Sequence, residues 1–250
     1  MSDTGVAAWS SAGQLGFADD RLKQPNYARL PPATSLMTIT FSPQLVDHLI
    51  APGLSAFASF EAPDLTAQHP EATHWLANHF LNTILGPAYK DKYRQWAMNQ
   101  LFRAEIAFRD YHEARTLTFD VLAKGRPGQP AIRAYFRAIA RWESCLLNVQ
   151  IFIDLVNKMK MELGDTPVFV KGDGSRDERV YAIANKIKHW GSDVAAGHHA
   201  EHQTIPVWLT NEGIATRSDL LSFQELAAVV ADVAALADAL QDPKRFTAEE

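Results

Sequence analysis

Between residues 130 and 163 apolar side chains recur by threes and fours without a break: Ile132, Phe136, Ile139, Trp142, Leu146, Val149, Ile153 and Val156. This is the step of one helical face, and a face this long needs a second long element laid along it. The chain supplies one. Residues 89–124 contain no Gly or Pro, and Tyr93, Trp96, Leu101, Ala104, Phe108, Tyr111, Ala114 and Leu122 keep roughly to one side. Gly125-Arg126-Pro127-Gly128 separates the two stretches with turn-forming residues. The spacing predicts two long antiparallel helices at the centre of a mainly α, bundle-type fold.

The flanking elements follow from local signals. Met37, Ile39 and Phe41 alternate with Thr38 and Thr40, the period of a half-buried strand. Ser42-Pro43 reads as an N-cap with Pro in the first helical turn, opening a short helix to Ile50. Glu71–Leu85 carries Trp75, His79 or Phe80, and Ile84 at helical spacing, and Gly86-Pro87 stops it. Ser175 or Asp177 caps a helix to about Trp190, and 191–203 reads as a His-rich loop. Ile205–Thr210 and Gly213–Arg217 form a small β-hairpin turning at Asn211-Glu212. Ser222 and Glu225 make a capping box for a last helix running to Gln241. Residues 1–34 are an irregular arm, with Trp9, Phe17 and Tyr27 available to hold it to the body. The expected organisation is an N-terminal arm with a short strand and helix, 1–69, and a helical bundle, 70–250, in a single globular unit.

Among 250 residues there is one cysteine, Cys145, which excludes an intrachain disulfide and a Cys-rich zinc site and fits a reducing, cytoplasmic compartment. No apolar run approaches the length of a membrane span. The first residues lack a basic segment followed by an apolar one, so no secretory signal is expected. A net charge of −5 argues against a nucleic-acid coat protein, but it hides an asymmetry. Residues 86–141 hold 11 Lys/Arg against 5 Asp/Glu, whereas 193–250 hold 3 against 10. The basic segment is either a solvated helical surface or a patch that meets RNA, DNA or a nucleotide.

On the 176–190 helix, Val180, Ile183, Ile187 and Trp190 share the core face. Tyr181, Asn185 and His189 step by fours on nearly the opposite side, which points Asn185 and His189 away from the core together. An amide and an imidazole one turn apart suit phosphate binding and proton transfer. Ala184-Asn185-Lys186-Ile187-Lys188-His189 resembles the Arg-x(4–6)-His motif of HEPN domains, often Arg-Asn-x-x-x-His. The resemblance spans roughly 87–241 and includes two long antiparallel helices, a loop, the motif helix and a closing helix. It implies a small all-helical protein, commonly a homodimer. In active members the Arg and His of two protomers cleave RNA without metal, in toxin–antitoxin, abortive-infection and CRISPR-linked systems.

The chain departs from the motif at Ala184, where the arginine should stand; Arg179 is ten residues before His189. The likeness therefore implies a HEPN-like fold more than a nuclease, since no guanidinium fork meets the transition-state charge. Lys186 and Lys188 supply charge without that geometry. His189 and Asn185 are the candidate catalytic pair, with Tyr181, Lys186 and Lys188 beside them for RNA or another anion. On this reading Ala184→Arg raises any trace cleavage. The alternative is a non-enzymatic interaction protein whose Asn185/His189 face packs on a partner.

Arg133, Arg137 and Arg141 form an i, i+4, i+8 stripe that meets either phosphates or the acidic face of the last helix at Asp232 and Asp238. His198, His199, Glu201 and His202 are ligand types, but adjacent loop histidines are poorly spaced for one ion, so no metal is expected. Glu105, His112 and Glu113 stand near one another on the first long helix, without the paired Glu-x-x-His of a di-iron bundle; Glu71 and His74 make that spacing once only. No P-loop, dinucleotide-binding glycine set or Gly-x-Ser-x-Gly elbow occurs, so no cofactor is expected. The 89–122 and 132–156 faces together offer more apolar surface than a small helical layer covers, which predicts a homodimer.

Overall fold

A computed structural model describes residues 42–86, 91–125, 131–198 and 203–243. The arm at 1–34, the strand expected at 37–41, and His199, Glu201 and His202 lie outside the described residues. The fold is mainly helical, with a small antiparallel sheet before the last helix. The elements in order are α1 (Pro43–Leu49), a 3-10 turn (Leu54–Ala56), α2 (Trp75–Leu85), α3 (Asp91–Lys124), α4 (Ile132–Glu162) and α5 (Arg176–Ala195). β1 (Trp208–Leu209), β2 (Gly213–Ala215), β3 (Leu220–Ser222) and α6 (Phe223–Leu240) follow.

α3 and α4 are the spine. Their ties run in opposite directions along the two helices: Trp142 Nε1 donates to Thr118 Oγ1 at 3.0 Å, and Arg103 Nη1 donates to Asn148 Oδ1 at 3.0 Å. Leu101, Ala104, Tyr111, Trp142, Leu146 and Val149 are all fully buried between them and their neighbours. Each large apolar side chain so buried contributes roughly 1.5–3 kcal/mol. Much of the apolar seam is thus covered within one chain, while Phe102, Phe119, Phe136 and Ile151 stay exposed on these two helices. The seam also shifts by one residue at its start: Phe136 is exposed and Tyr135 takes the core position. The reason is a distant partner, because the Tyr135 hydroxyl accepts a hydrogen bond from the Leu209 N–H of β1 at 3.1 Å.

Capping follows the local code. Ser42 accepts from Leu45 N ahead of Pro43, Ser175 accepts from Glu178 N, and Ser222 with Glu225 closes both halves of a capping box. α5 continues through Gly191 to Ala195, beyond the end expected at Trp190. α2 begins at Trp75 rather than 71, with residues 70–74 in turns. The hairpin has a third strand: β1 pairs with β2 (Leu209↔Ile214) and β2 with β3 (Ile214↔Leu221). Gly213 is required there, since a Cβ would stand 2.0 Å from the Leu221 carbonyl oxygen.

Thr40–Glu250 is one compact unit. Val46, Leu54 and Leu65 enter the same core as α3 and α4. Phe60 packs edge-on against Trp142, Phe223 and Phe119. The 57–73 segment is laid across α3 by specific bonds. Tyr111 donates to the Pro63 carbonyl and Arg115 to that of Ala62, each at 2.9 Å. Asp238 of α6 accepts from Trp75 Nε1 at 2.6 Å and lies 2.7 Å from His69 Nδ1.

Candidate anion-binding cleft

That segment, α3 and α4 enclose a cleft of about 810 Å³. Thr66, Ala72 and Thr73 form one wall, and Arg137 and Arg141 of α4 the other. The floor is α3, where Glu105, Phe108, Arg109, His112, Glu113 and Leu117 recur at helical spacing.

The cationic wall is arranged from behind. Asp110 sits in α3 between Phe108 and Tyr111 and is fully buried. A buried carboxylate must be matched by donors. Ser144 Oγ donates to it, Arg141 Nη1 reaches it at 3.3 Å, and Arg109 Nε and Nη2 at 3.3 and 3.2 Å. Arg141 Nε also lies 2.7 Å from Glu113. Two guanidiniums are thereby held in place with part of their donor capacity unspent. Arg137, exposed one turn earlier on α4, has no hydrogen-bond or ion-pair partner among the described residues.

His112 lines the floor on the side of the 57–73 segment. Its Nδ1 lies 3.9 Å from Asp64 Oδ1, and its Nε2 is buried without a hydrogen-bond partner. Burial pulls the imidazole below its usual value; Asp64 opposes this and Arg115 adds to it. The ring is therefore held neutral more firmly than a free histidine.

Of the sequence candidates, Arg137 and Arg141 enter this cleft, and Arg133 stays exposed in the first turn of α4. Arg141 pairs with α3, not with the acidic face of α6. Asp232 is taken by Arg176 of α5, and Asp238 by His69 and Trp75. Glu105, His112 and Glu113 gather in the cleft, although among the described residues no group of three His, Cys, Asp or Glu is placed to hold a metal. Asp110, Ser144 and Arg109 were missed. Their signal was a carboxylate set inside the apolar stripe Ala107-Phe108-Tyr111-Ala114.

The α5 motif lies elsewhere and is not one open face. Asn185 is half-buried and accepts from Gln150 Nε2 at 2.7 Å, so it does not project outward with the exposed His189. Gln150 is nine residues beyond Arg141, about 14 Å along α4. Tyr181 packs on Phe169 with ring centres 5.3 Å apart. Lys186 is 3.6 Å from Asp193; Lys188 is exposed. Ala184, at the position of the motif arginine, is fully buried. No protein-family model, curated protein or solved structure matches the chain.

Proposed function

We propose that this chain is a HEPN-like helical protein that binds a phosphate-bearing ligand, RNA or a nucleotide, in the α3–α4 cleft. The observation that carries this reading is Arg137, a cation without a counter-ion among the described residues, beside two guanidiniums fixed by buried Asp110. Fixed donors lose little entropy on meeting an anion, so they bind more tightly than mobile surface lysines. The helix order supports the HEPN-like reading: a long pair, a loop, the motif helix and a closing helix. A cytoplasmic, defence-related setting goes with that reading and with the single thiol, Cys145, which is buried.

Ribonuclease activity on this reading is weak or nil. The α5 motif lacks its arginine, its asparagine is bound to Gln150, and His189 stands alone. The test is fluorescence anisotropy with labelled single-stranded RNA and a labelled nucleotide at low and moderate salt. Arg137→Ala is expected to weaken binding at least fivefold, with Lys188→Ala close to wild type. Absence of salt-sensitive binding to either probe overturns the proposal.

A second reading, an interaction protein that pairs with its own copy, has one observation of its own. Phe80, Leu81, Ile84 and Leu85 of α2 are 53–82% exposed, a contiguous apolar ridge on one short helix. A homodimer on this ridge would be lost in Ile84→Asp/Leu85→Glu, read by light scattering. A monomeric wild type at tens of micromolar overturns it.

A further inference from the structure

We infer that the 57–73 segment is a proton-operated strap: when His112 takes a second proton, the segment lifts from α3 and that wall of the cleft opens. This holds whatever the cleft binds.

His112 lies against Phe108 and Tyr111 of its own helix, with ring centres 4.7 and 5.1 Å apart. The strap's Asp64 stands 3.9 Å from Nδ1, while Nε2 is buried with no hydrogen-bond partner. The carboxylate favours the neutral ring's proton on Nδ1, which leaves Nε2 as an acceptor. A second proton turns Nε2 into a charged donor sealed away from water and from any acceptor, the costly case for a buried polar group.

One force opposes opening. Asp64 attracts an imidazolium and so pulls the strap inward. It is half exposed, however, and a solvent-screened pair is worth little. Its Oδ2 already lies 3.2 Å from Arg115, and Thr66 donates to its Oδ1. The remaining charges bring no acceptor to Nε2. From α3, Glu105 faces the Leu76 N–H at 3.4 Å, Arg109 is held by Asp110, and Glu113 is paired with Arg141. From α4, Arg137 and Arg141 add positive charge to the same cleft. From α6, Asp238 is taken by His69 and Trp75. The sealed N–H therefore outweighs the screened attraction.

Of the walls around the ring, the strap is the one that yields. Residues 57–73 form neither helix nor strand, and among the described residues the backbone-to-backbone bonds of 58–73 reach no further than His74. Side chains hold the segment down: Tyr111 and Arg115 at the Pro63 and Ala62 carbonyls, and Leu65 in the core. A segment without long-range backbone bonds belongs to the low-stability end of a fold. Burial holds the closed ring below its ordinary value of 6.5, and an opened ring recovers that value. Each pH unit below about 6.5 therefore raises the open fraction by up to about tenfold.

The test is hydrogen-exchange mass spectrometry of the full chain between pH 7.5 and 5.0, with rates corrected for the intrinsic effect of pH. In the wild type, residues 60–70 are expected to lose protection about tenfold or more by pH 5.0, starting near 6.5, while α4 keeps its own. His112→Gln is expected to hold the strap's protection within about twofold over that range. His69→Gln, which removes the strap's own histidine, should show the same relative loss as wild type. A flat wild-type profile overturns the switch, and needs no variant to do so. Loss that persists in His112→Gln, or vanishes in His69→Gln, overturns it as well. Loss from the strap and α4 together is global unfolding and has the same consequence.

Discussion

Gln150 of α4 donates a 2.7 Å hydrogen bond to the Asn185 side chain of α5. This bond ties the motif asparagine to the spine, one residue on from the fully buried Ala184. The face that the helical wheel leaves open is therefore partly an internal one.

The first consequence concerns position 184. An arginine there would carry its guanidinium into the core, where an unpaired charge costs several kcal/mol. Ala184→Arg is expected to lower the melting temperature by roughly 10 °C or more and to produce no ribonuclease. A stable variant with new cleavage would show that α5 turns its motif face outward.

Catalysis by His189 is expected to be slight. A lone imidazole offers general acid–base help of about 10²–10⁴-fold, without the further few kcal/mol from a positioned cation. In metal-free buffer the wild type should cleave RNA slowly or not at all, and His189→Ala should remove what remains. Fast wild-type cleavage that vanishes with His189 would sink this expectation.

Stability should fall as the solution becomes mildly acidic. Burial lowers both His79 and His112 below the ordinary value of 6.5, so the unfolded chain takes up protons first as pH drops through that value. Their contribution is full above pH 7 and is lost below about 6.5. Asp64 and Glu225, both lowered, add their loss only further down, in the carboxylate range; Glu143 and Asp177, raised by burial, act in the opposite sense. Melting temperatures of wild type and His112→Gln isolate one imidazole: the variant should lose less between pH 7 and 5.5. Equal slopes would count against the neutral, buried His112.

Gly213→Ala should be among the most damaging small substitutions, because the added methyl meets the backbone of β3. A cost of about 2–3 kcal/mol is expected. Gly191→Ala, on an open side of α5 where a Cβ meets nothing within 4 Å, is the control. It should be stabilising by about 0.5–1 kcal/mol, as alanine usually is within a helix. Similar melts for the two variants would contradict the register of β2 and β3.

What the sequence determined by itself was everything set within a few residues. The long α3–α4 pair, the Ser42, Ser175 and Ser222 caps, and the turn before β2 follow from short-range sterics and hydrogen bonds. What only the tertiary structure decided was which of two adjacent positions finds a distant partner. Tyr135 displaces Phe136 because β1 brings the Leu209 N–H to its hydroxyl. Asp110 becomes the buried anchor behind the cleft's arginines because α4 delivers Ser144 and Arg141 to it, and Arg141 turns to α3 rather than α6 for the same reason. β3 escaped notice because Leu220–Ser222 is three residues long and ends in the helix cap; pairing with β2 makes it a strand. Helical periodicity fixes which residues share a face. The partner that each face meets depends on elements tens of residues away, and no local pattern encodes that distance.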